Sequence, residues 1–370
     1  MLCTGFMWGE PLLATSALPS DASLKQMIAR MLIVGFDAKR IDANTSIAKE
    51  ISTYSLGGVI LFDRDFTDRS RTKNIDSPKQ LYELTYALHS LAQKPLLICV
   101  DQEGGKVARL KPHDGFAPTP SAHAIAKLED DAIKVNYQTL AATLHDHGIT
   151  CNFAPVLDLA RNPKNPVIAK LERSYGEDPL RVVHIANTLI TEQSKHGVIS
   201  VAKHFPGHGS SLEDSHKGFV DITHTWDKVE LEPYKALIAK DALAMVMSAH
   251  VFHAGLDPLY PATLSHAINT TLLRDSLHFT GVLVSDDMQM GAVVKHFTLK
   301  ESVTLAINSG VDMLLFGNQL GHHDTQEIID LILKGVKNGE ILYARIVESN
   351  KRIEAMHKNF STSRYDIRKK

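Results

Sequence analysis

Eight short apolar or β-branched runs, each bounded by turn formers and separated by segments of helical periodicity, constrain this chain more than any other feature. They are Met31–Phe36, Gly58–Phe62, Leu96–Val100, Cys151–Leu157, Val198–Ala202, Ala244–Ser248, Gly281–Val284 and Met313–Phe316. Between them lie Leu81–Leu91, Ala132–His147, Leu180–His196, Leu231–Lys240, Lys300–Ser309 and Thr325–Lys337, with apolar residues at steps of three and four. Near-continuous apolar strands alternating with amphipathic helices imply a parallel sheet covered by helices. Eight such units suit an α/β chain closed as a (β/α)8 barrel of the TIM type, with a doubly wound open sheet as the competitor. No Gly/Ser-rich linker or change of composition divides the sequence. One domain is therefore expected over 25–370, preceded by a short N-terminal extension over 1–24.

Charge and cysteine content narrow the partners. Forty basic residues against forty-two acidic ones, with no basic block beyond the Arg368-Lys369-Lys370 tail, give no electrostatic basis for nucleic-acid or anionic-membrane binding. No stretch approaches the roughly 20 apolar residues of a membrane span. Cys3, Cys99 and Cys151 are odd in number, and the last two sit in apolar runs, so they read as small buried side chains. Met1–Trp8 is apolar, Glu10-Pro11 interrupts it, and Ala14-Thr15-Ser16-Ala17 offers a small-residue stretch, but a positive leading region is missing. A cytoplasmic location is the expectation, with a clipped export signal over 1–17 as the alternative. A monomer is expected, although the sequence leaves the oligomeric state open.

The polar motifs fall after the strands, at the face where barrels place their chemistry. Lys203-His204-Phe205-Pro206-Gly207-His208-Gly209 and Asp214-Ser215-His216 crowd ionisable groups onto what reads as a loop broken by glycine and proline. Asp214 and His216 form an acid–base pair if the chain there is extended; the bland alternative is a solvated loop. Asp286, after Val282-Leu283-Val284, projects from a strand end, where it can act as a nucleophile, bind a metal or cap a helix starting near Met290. Asp101-Gln102-Glu103-Gly104-Gly105 carries two acids where a phosphate loop would carry none, and suits sugar hydroxyls instead. Arg173 is a further donor or an ordinary surface arginine. A metal site from His204, His208, Asp214 and His216 is disfavoured by the spacing, and no metal or cofactor is expected.

Taken in order, Val100–Gly105, Glu172-Arg173-Ser174-Tyr175-Gly176, Lys203–Gly209, Asp214–His216 and Ser285-Asp286-Asp287 resemble the family 3 glycoside hydrolases. The similarity runs from about Met31 to His357 and is strongest to the single-domain bacterial β-N-acetylglucosaminidases of peptidoglycan recycling. It implies a (β/α)8 barrel, Asp286 as nucleophile, His216 as general acid/base supported by Asp214, and sugar contacts from Asp101, Arg109, Arg173, Lys203 and His204. It further implies an exo-acting, retaining hydrolase of N-acetylglucosamine-terminated muropeptides or chitooligosaccharides. Lys106 stands where the family usually has Arg, Tyr175 where it has Phe, and a charged insertion spans 63–76. The competing functions are a family 3 β-glucosidase or β-xylosidase, a metal-dependent barrel hydrolase, and an inactive sugar-binding protein.

Overall fold

The computed structural model describes residues 18–360. Cys3, the Ala14–Ala17 stretch and the basic tail lie outside the described residues. Eight strands, β1 (Leu32–Gly35), β2 (Gly58–Ile60), β3 (Leu97–Val100), β4 (Cys151–Asn152), β5 (Ile199–Phe205), β6 (Met245–Ser248), β7 (Val282–Asp287) and β8 (Met313–Phe316), pair in sequence order. All pairs are parallel, and β8 closes onto β1 with Ile33 opposite Leu315, so no edge is left open. Each strand is buried except for Asp286 and Asp287 at the end of β7. A parallel barrel sheathed in helices requires this all-apolar strand pattern.

The sheath is α1 (Asp21–Ala29), α2 (Ser46–Tyr54), α3 (Pro78–Leu91), α4 (Ala122–Ile125), α5 (Asp130–Asp146), α6 (Pro179–Lys195), α7 (Glu232–Ile238), α8 (Gly291–Val294), α9 (Leu299–Ser309), α10 (Thr325–Lys337) and α11 (Tyr343–Phe360). A π-helix over Ala267–Ser276 takes the place between β6 and β7. In α10 the buried side is Ile328, Ile329, Ile332, Leu333 and Val336, and Asp324 caps the N-terminus by accepting from the Gln326 and Glu327 N–H groups. Thr298 and Glu301 form a reciprocal capping box at the start of α9, which ends on Gly310 in the left-handed region at φ 116°.

Two strands extend further than their apolar runs, and one stops short. β5 continues through Lys203, His204 and Phe205, so the first half of the expected loop is strand. β7 likewise carries Asp286 and Asp287 on its last turn of ladder. Beyond Asn152, the segment expected to continue β4 leaves the ladder, with only Val156 bridged to Lys203. Cys99 and Cys151 are register partners on β3 and β4, both buried with free thiols. At the opposite end of the barrel from these polar strand ends, buried Asp312 accepts from Arg274, Arg352 and the Leu283 N–H, tying the π-helix, α11 and β7 together.

Candidate active site

A cavity of about 630 Å³ opens at the C-terminal ends of the strands. Its floor is a row of alternating charges. Arg109 reaches Asp101 at 3.2 Å, and Lys203 lies 2.8 Å from Asp101 and 2.7 Å from Glu103. Glu103 in turn receives two 2.7 Å hydrogen bonds from Arg173 Nε and Nη2, while Nη1 donates to the Val167 carbonyl and Nη2 also reaches His204 Nε2. Arginine only donates, so His204 Nε2 is the acceptor and Nδ1 donates to Asp158 at 2.6 Å. The side chains of Lys203, Glu103 and Arg173 are 3%, 4% and 8% exposed, so this row is a prearranged polar floor, held rigid before any ligand arrives. Burial opposes charge on Asp101, but Lys203 and Arg109 outweigh it and hold the carboxyl well below the usual range. Burial likewise pulls Lys203 toward neutrality, and the two carboxylates beside it win, raising its pKa.

Above the floor stand Asp286 and His216. Asp286 has no ion-pair partner within 4 Å among the described residues; its Oδ1 accepts the Asp287 N–H at 2.8 Å. Burial works against its charge, yet His250, His204 and His216 keep the carboxyl below its ordinary value. Asp287 turns to the Gln289 and Gly317 N–H groups, and burial pushes its carboxyl up to about 6. Neither aspartate caps α8, whose N-cap is Met290.

His216 and Asp214 are joined by a turn rather than by extended chain. Asp214 Oδ1 accepts both the His216 N–H at 3.0 Å and His216 Nδ1–H at 2.9 Å, while the Lys217 N–H closes the turn on the Asp214 carbonyl. Nδ1 is thereby committed as donor, leaving Nε2 as the working nitrogen. Desolvation lowers the His216 pKa, but the hydrogen bond to Asp214 and the charge of Asp286 outweigh it, so the net shift is upward. Two devices seat this turn. His208, buried and pulled down to about 4 by that burial, hydrogen-bonds Ser211 and Ser215. From α8, the Gly291 and Ala292 N–H groups donate to the His216 and Ser215 carbonyls at 3.3 and 3.1 Å, and Lys295 Nζ donates to the Lys217 carbonyl at 2.6 Å. Beneath the loop, Glu230 accepts the Gly209 N–H and sits where a Cβ on Gly207, at φ 129°, would collide.

The sequence profile of the glycosyl hydrolase family 3 N-terminal domain matches residues 23–356. The chain belongs to glycosyl hydrolase family 3. Within the family it is 36% identical over 270 residues to a β-hexosaminidase from Tolumonas auensis, covering 71% of this chain and 76% of that protein. It is 35% identical over 302 residues to one from Alkalilimnicola ehrlichii, covering 79% and 82% respectively. A family 3 β-N-acetylglucosaminidase from Paenibacillus sp. str. FPU-7 superposes with a TM-score of 0.83 at 31% identity, covering 94% of this chain and 64% of that one. The chain spans less than half, 47%, of the β-hexosaminidase A from Pseudoalteromonas piscicida, to which it is 35% identical over 292 residues.

In this family 3 barrel all eight residues singled out from the sequence line one cavity: Asp101, Arg109, Arg173, Lys203, His204, Asp214, His216 and Asp286. His204, His208 and His216, which a metal reading would gather, instead engage three separate partners. Lys106 donates to the Lys170 carbonyl at 2.9 Å, and the Tyr175 hydroxyl accepts from Tyr137 at 3.0 Å, so both departures from the family pattern are satisfied locally. Sequence reasoning did not assign roles to Glu103, Asp158 or His250. Glu103 stood inside a quoted motif, and an acid facing a buried Arg173 was the available signal. His250 carried only its place after the sixth apolar run, and Asp158 carried none, because its partner His204 is distant in sequence. His250 donates Nε2–H to the Asp287 carbonyl at 2.9 Å and so holds the end of β7.

The charged floor makes a stability prediction. Lys203→Met strands Asp101 and Glu103 beside one another without their shared cation, and is expected to cost about 3–5 kcal/mol. The urea midpoint of the variant measures this; a midpoint within error of wild type would show that the row is not coupled through Lys203.

Proposed function

We propose that this chain is a retaining, exo-acting β-N-acetylglucosaminidase that removes terminal N-acetyl-β-glucosamine from muropeptides or chitooligosaccharides. The observation that carries the proposal is the pairing, in one cavity, of an unbridged carboxylate on a rigid strand end with an aspartate-backed imidazole on a seated turn. The closed polar floor supports exo action, because a sugar resting on it has no exit beyond its non-reducing end. The names of the relatives support the acetamido sugar.

In this reading Asp101, Lys203, Arg109, Arg173 and His204 grip the terminal sugar. Asp286 attacks its anomeric carbon from the face opposite the leaving group, while protonated His216 gives its Nε2 proton to the departing oxygen. The glycosyl–Asp286 ester is then opened by water, whose proton Nε2 takes, and the carboxylate leaves with net retention. A histidine suits the second step because, neutral at its start, it sets no negative charge beside the carboxylate that Asp286 regains as the ester opens. Release of 4-nitrophenol from the N-acetyl-β-glucosaminide but not from the β-glucoside, undiminished by EDTA, is the expected result. Preference for the glucoside would turn the assignment to a β-glucosidase, and inactivation by EDTA would turn it to a metal-dependent hydrolase.

The raised pKa of His216 sets a pH dependence. The acid form is needed for the first step, so kcat/KM for a disaccharide should fall only above the ordinary imidazole range near 6.5. Asp214→Asn removes the hydrogen bond and the charge that hold the proton, and should move this alkaline limb to lower pH. An unmoved limb in the pH–rate profile would take Asp214 out of the reaction.

A further inference from the structure

Glu230 is a buried carboxyl for which the reaction has no use. It stands on the short helical turn Lys228–Leu231 that leads into α7, and it is 1% exposed. Gly209 is clamped between it and the loop after β4. Glu230 Oε2 accepts the Gly209 N–H at 3.0 Å, while the Gly209 carbonyl accepts from Asn165 Nδ2 at 3.2 Å and from the Asn162 N–H at 3.3 Å. Gly207 packs on the same carboxyl, because a Cβ there would lie 2.6 Å from Oε2. This segment joins two working groups. Asp158, which bonds His204 at the sugar floor, accepts the His208 N–H at 2.8 Å, and the His208 ring bonds Ser211 and Ser215 at the turn that carries His216.

A charge on Glu230 would go unanswered. Among the described residues it makes no ion pair, and its buried Oε1 has no hydrogen-bond partner. The ionisable groups that face it are Asp158, from the loop after β4, and the Tyr234 hydroxyl, from α7, which is itself buried without a partner among the described residues. His204 and His208 spend their bonds on Asp158, Arg173, Ser211 and Ser215. Lys228, on the same turn, is exposed, and on α7 Lys235 pairs with Glu232. Asp158 is the charged neighbour: burial opposes its ionisation, but His204 and His208 hold its carboxyl below the ordinary range. Burial and that charge outweigh the donors of Ser210 and Gly209, and push the Glu230 carboxyl up to about 7. A second anion beside Asp158, with one oxygen dry, can be hydrated only if the backbone lying over it lifts.

We propose that Glu230 is a positioning residue that works as the neutral acid, seating the 206–211 backbone and through it the turn of His216. Uncharged, it lets that backbone close over it; ionised, it draws water beneath, and the proton donor loses its place. This rests on the hydrolase assignment above, because the group being positioned is the one that protonates the leaving oxygen. The alkaline limit of the reaction then contains two protons, one on His216 and one on Glu230, and only the first is handed to the substrate.

The test is the pH dependence of kcat/KM for N,N′-diacetylchitobiose, read beside the carboxyl itself. In wild type the alkaline limb of the logarithmic profile should steepen toward two protons. Glu230→Gln, uncharged at every pH and of the same shape, should keep kcat/KM on the acid side within about twofold and reduce the limb to one proton. In wild type labelled with [δ-13C]glutamate, one carboxyl carbon should titrate near 7, far above the ~4.3 of an ordinary glutamate, and it should be missing from the variant. Hydrogen exchange of the 206–211 amides, corrected for its intrinsic pH dependence, should rise through the same midpoint in wild type and stay level in Glu230→Gln. A one-proton limb in wild type, a limb unchanged by Glu230→Gln, a folded variant that loses activity on the acid side, or level exchange in wild type overturns the positioning role. If the variant does not fold, the wild-type carbon and exchange decide alone, and the absence of any glutamate carbon titrating above about 6 overturns the proposal. Failure of wild type to cleave either diacetylchitobiose or the 4-nitrophenyl N-acetylglucosaminide overturns the hydrolase assignment instead, and is told apart because the carbon titration and the exchange need no substrate.

Discussion

Asp286→Ala is expected to lower kcat on 4-nitrophenyl N-acetyl-β-glucosaminide by on the order of 10⁴-fold or more, with the fold intact. Asp286 sits at the end of a buried strand, carries no bridging cation and makes one hydrogen bond to the following N–H, so its removal takes away a reacting atom and little packing. The void left on that face admits a small anion. Azide should therefore restore part of the turnover by attacking the anomeric carbon directly, giving the α-glycosyl azide with inverted configuration. Activity that survives the substitution without azide would remove Asp286 from the nucleophile's role, and Asp287, one residue on, would become the group to examine.

His216→Ala should divide substrates by their leaving groups. A disaccharide, whose leaving alcohol needs a proton, should lose on the order of 10²–10⁴-fold in kcat/KM. 4-Nitrophenolate departs without help, so its kcat/KM should fall far less, and the glycosyl–enzyme should accumulate as a burst because no base activates water. Azide needs no base. It should accelerate turnover of that intermediate and deliver the β-glycosyl azide, the opposite anomer from the Asp286 variant. Equal losses on both substrates, or the α product, would be incompatible with His216 as the acid/base.

The barrel was legible because burial on both faces of a parallel strand leaves an apolar signature that needs no partner to be recognised. The extent of β5 was not. Lys203 and His204 look like loop residues, and they belong to the strand only because Asp101, Glu103 and Asp158 wait across the barrel to satisfy them. Ala267–Ser276 escaped for a local reason: Asn269, Thr270 and Thr271 are weak helix formers, held in the π-helix by buried bonds from Asn269 to the Thr263 carbonyl and to Ser309. The candidate site was legible as a set of motifs, but not as a geometry. Spacing alone suggested an extended Asp214–His216 pair, whereas the aspartate bends the backbone around itself. The insertion at 63–76 was visible as extra charge, but its Asx turns, bridge and ties to Gln319 and Asn318 depend on residues far along the chain.

The turn bearing His216 hangs by its backbone from α8, the segment that follows β7 and its Asp286. That helix acts as a ruler: its first two residues, just past Asp286 and Asp287 in the barrel wall, hold the His216 and Ser215 carbonyls, and Lys295 beyond its last residue holds the Lys217 carbonyl. The position of His216 relative to Asp286 is then set from both sides, by α8 and by the His208–Ser211–Ser215 bonds. A side chain at Gly291, whose Cβ would meet the His216 carbonyl, changes the ruler itself. A portable version of this chemistry, moved to another barrel, would have to carry the helix along with the loop.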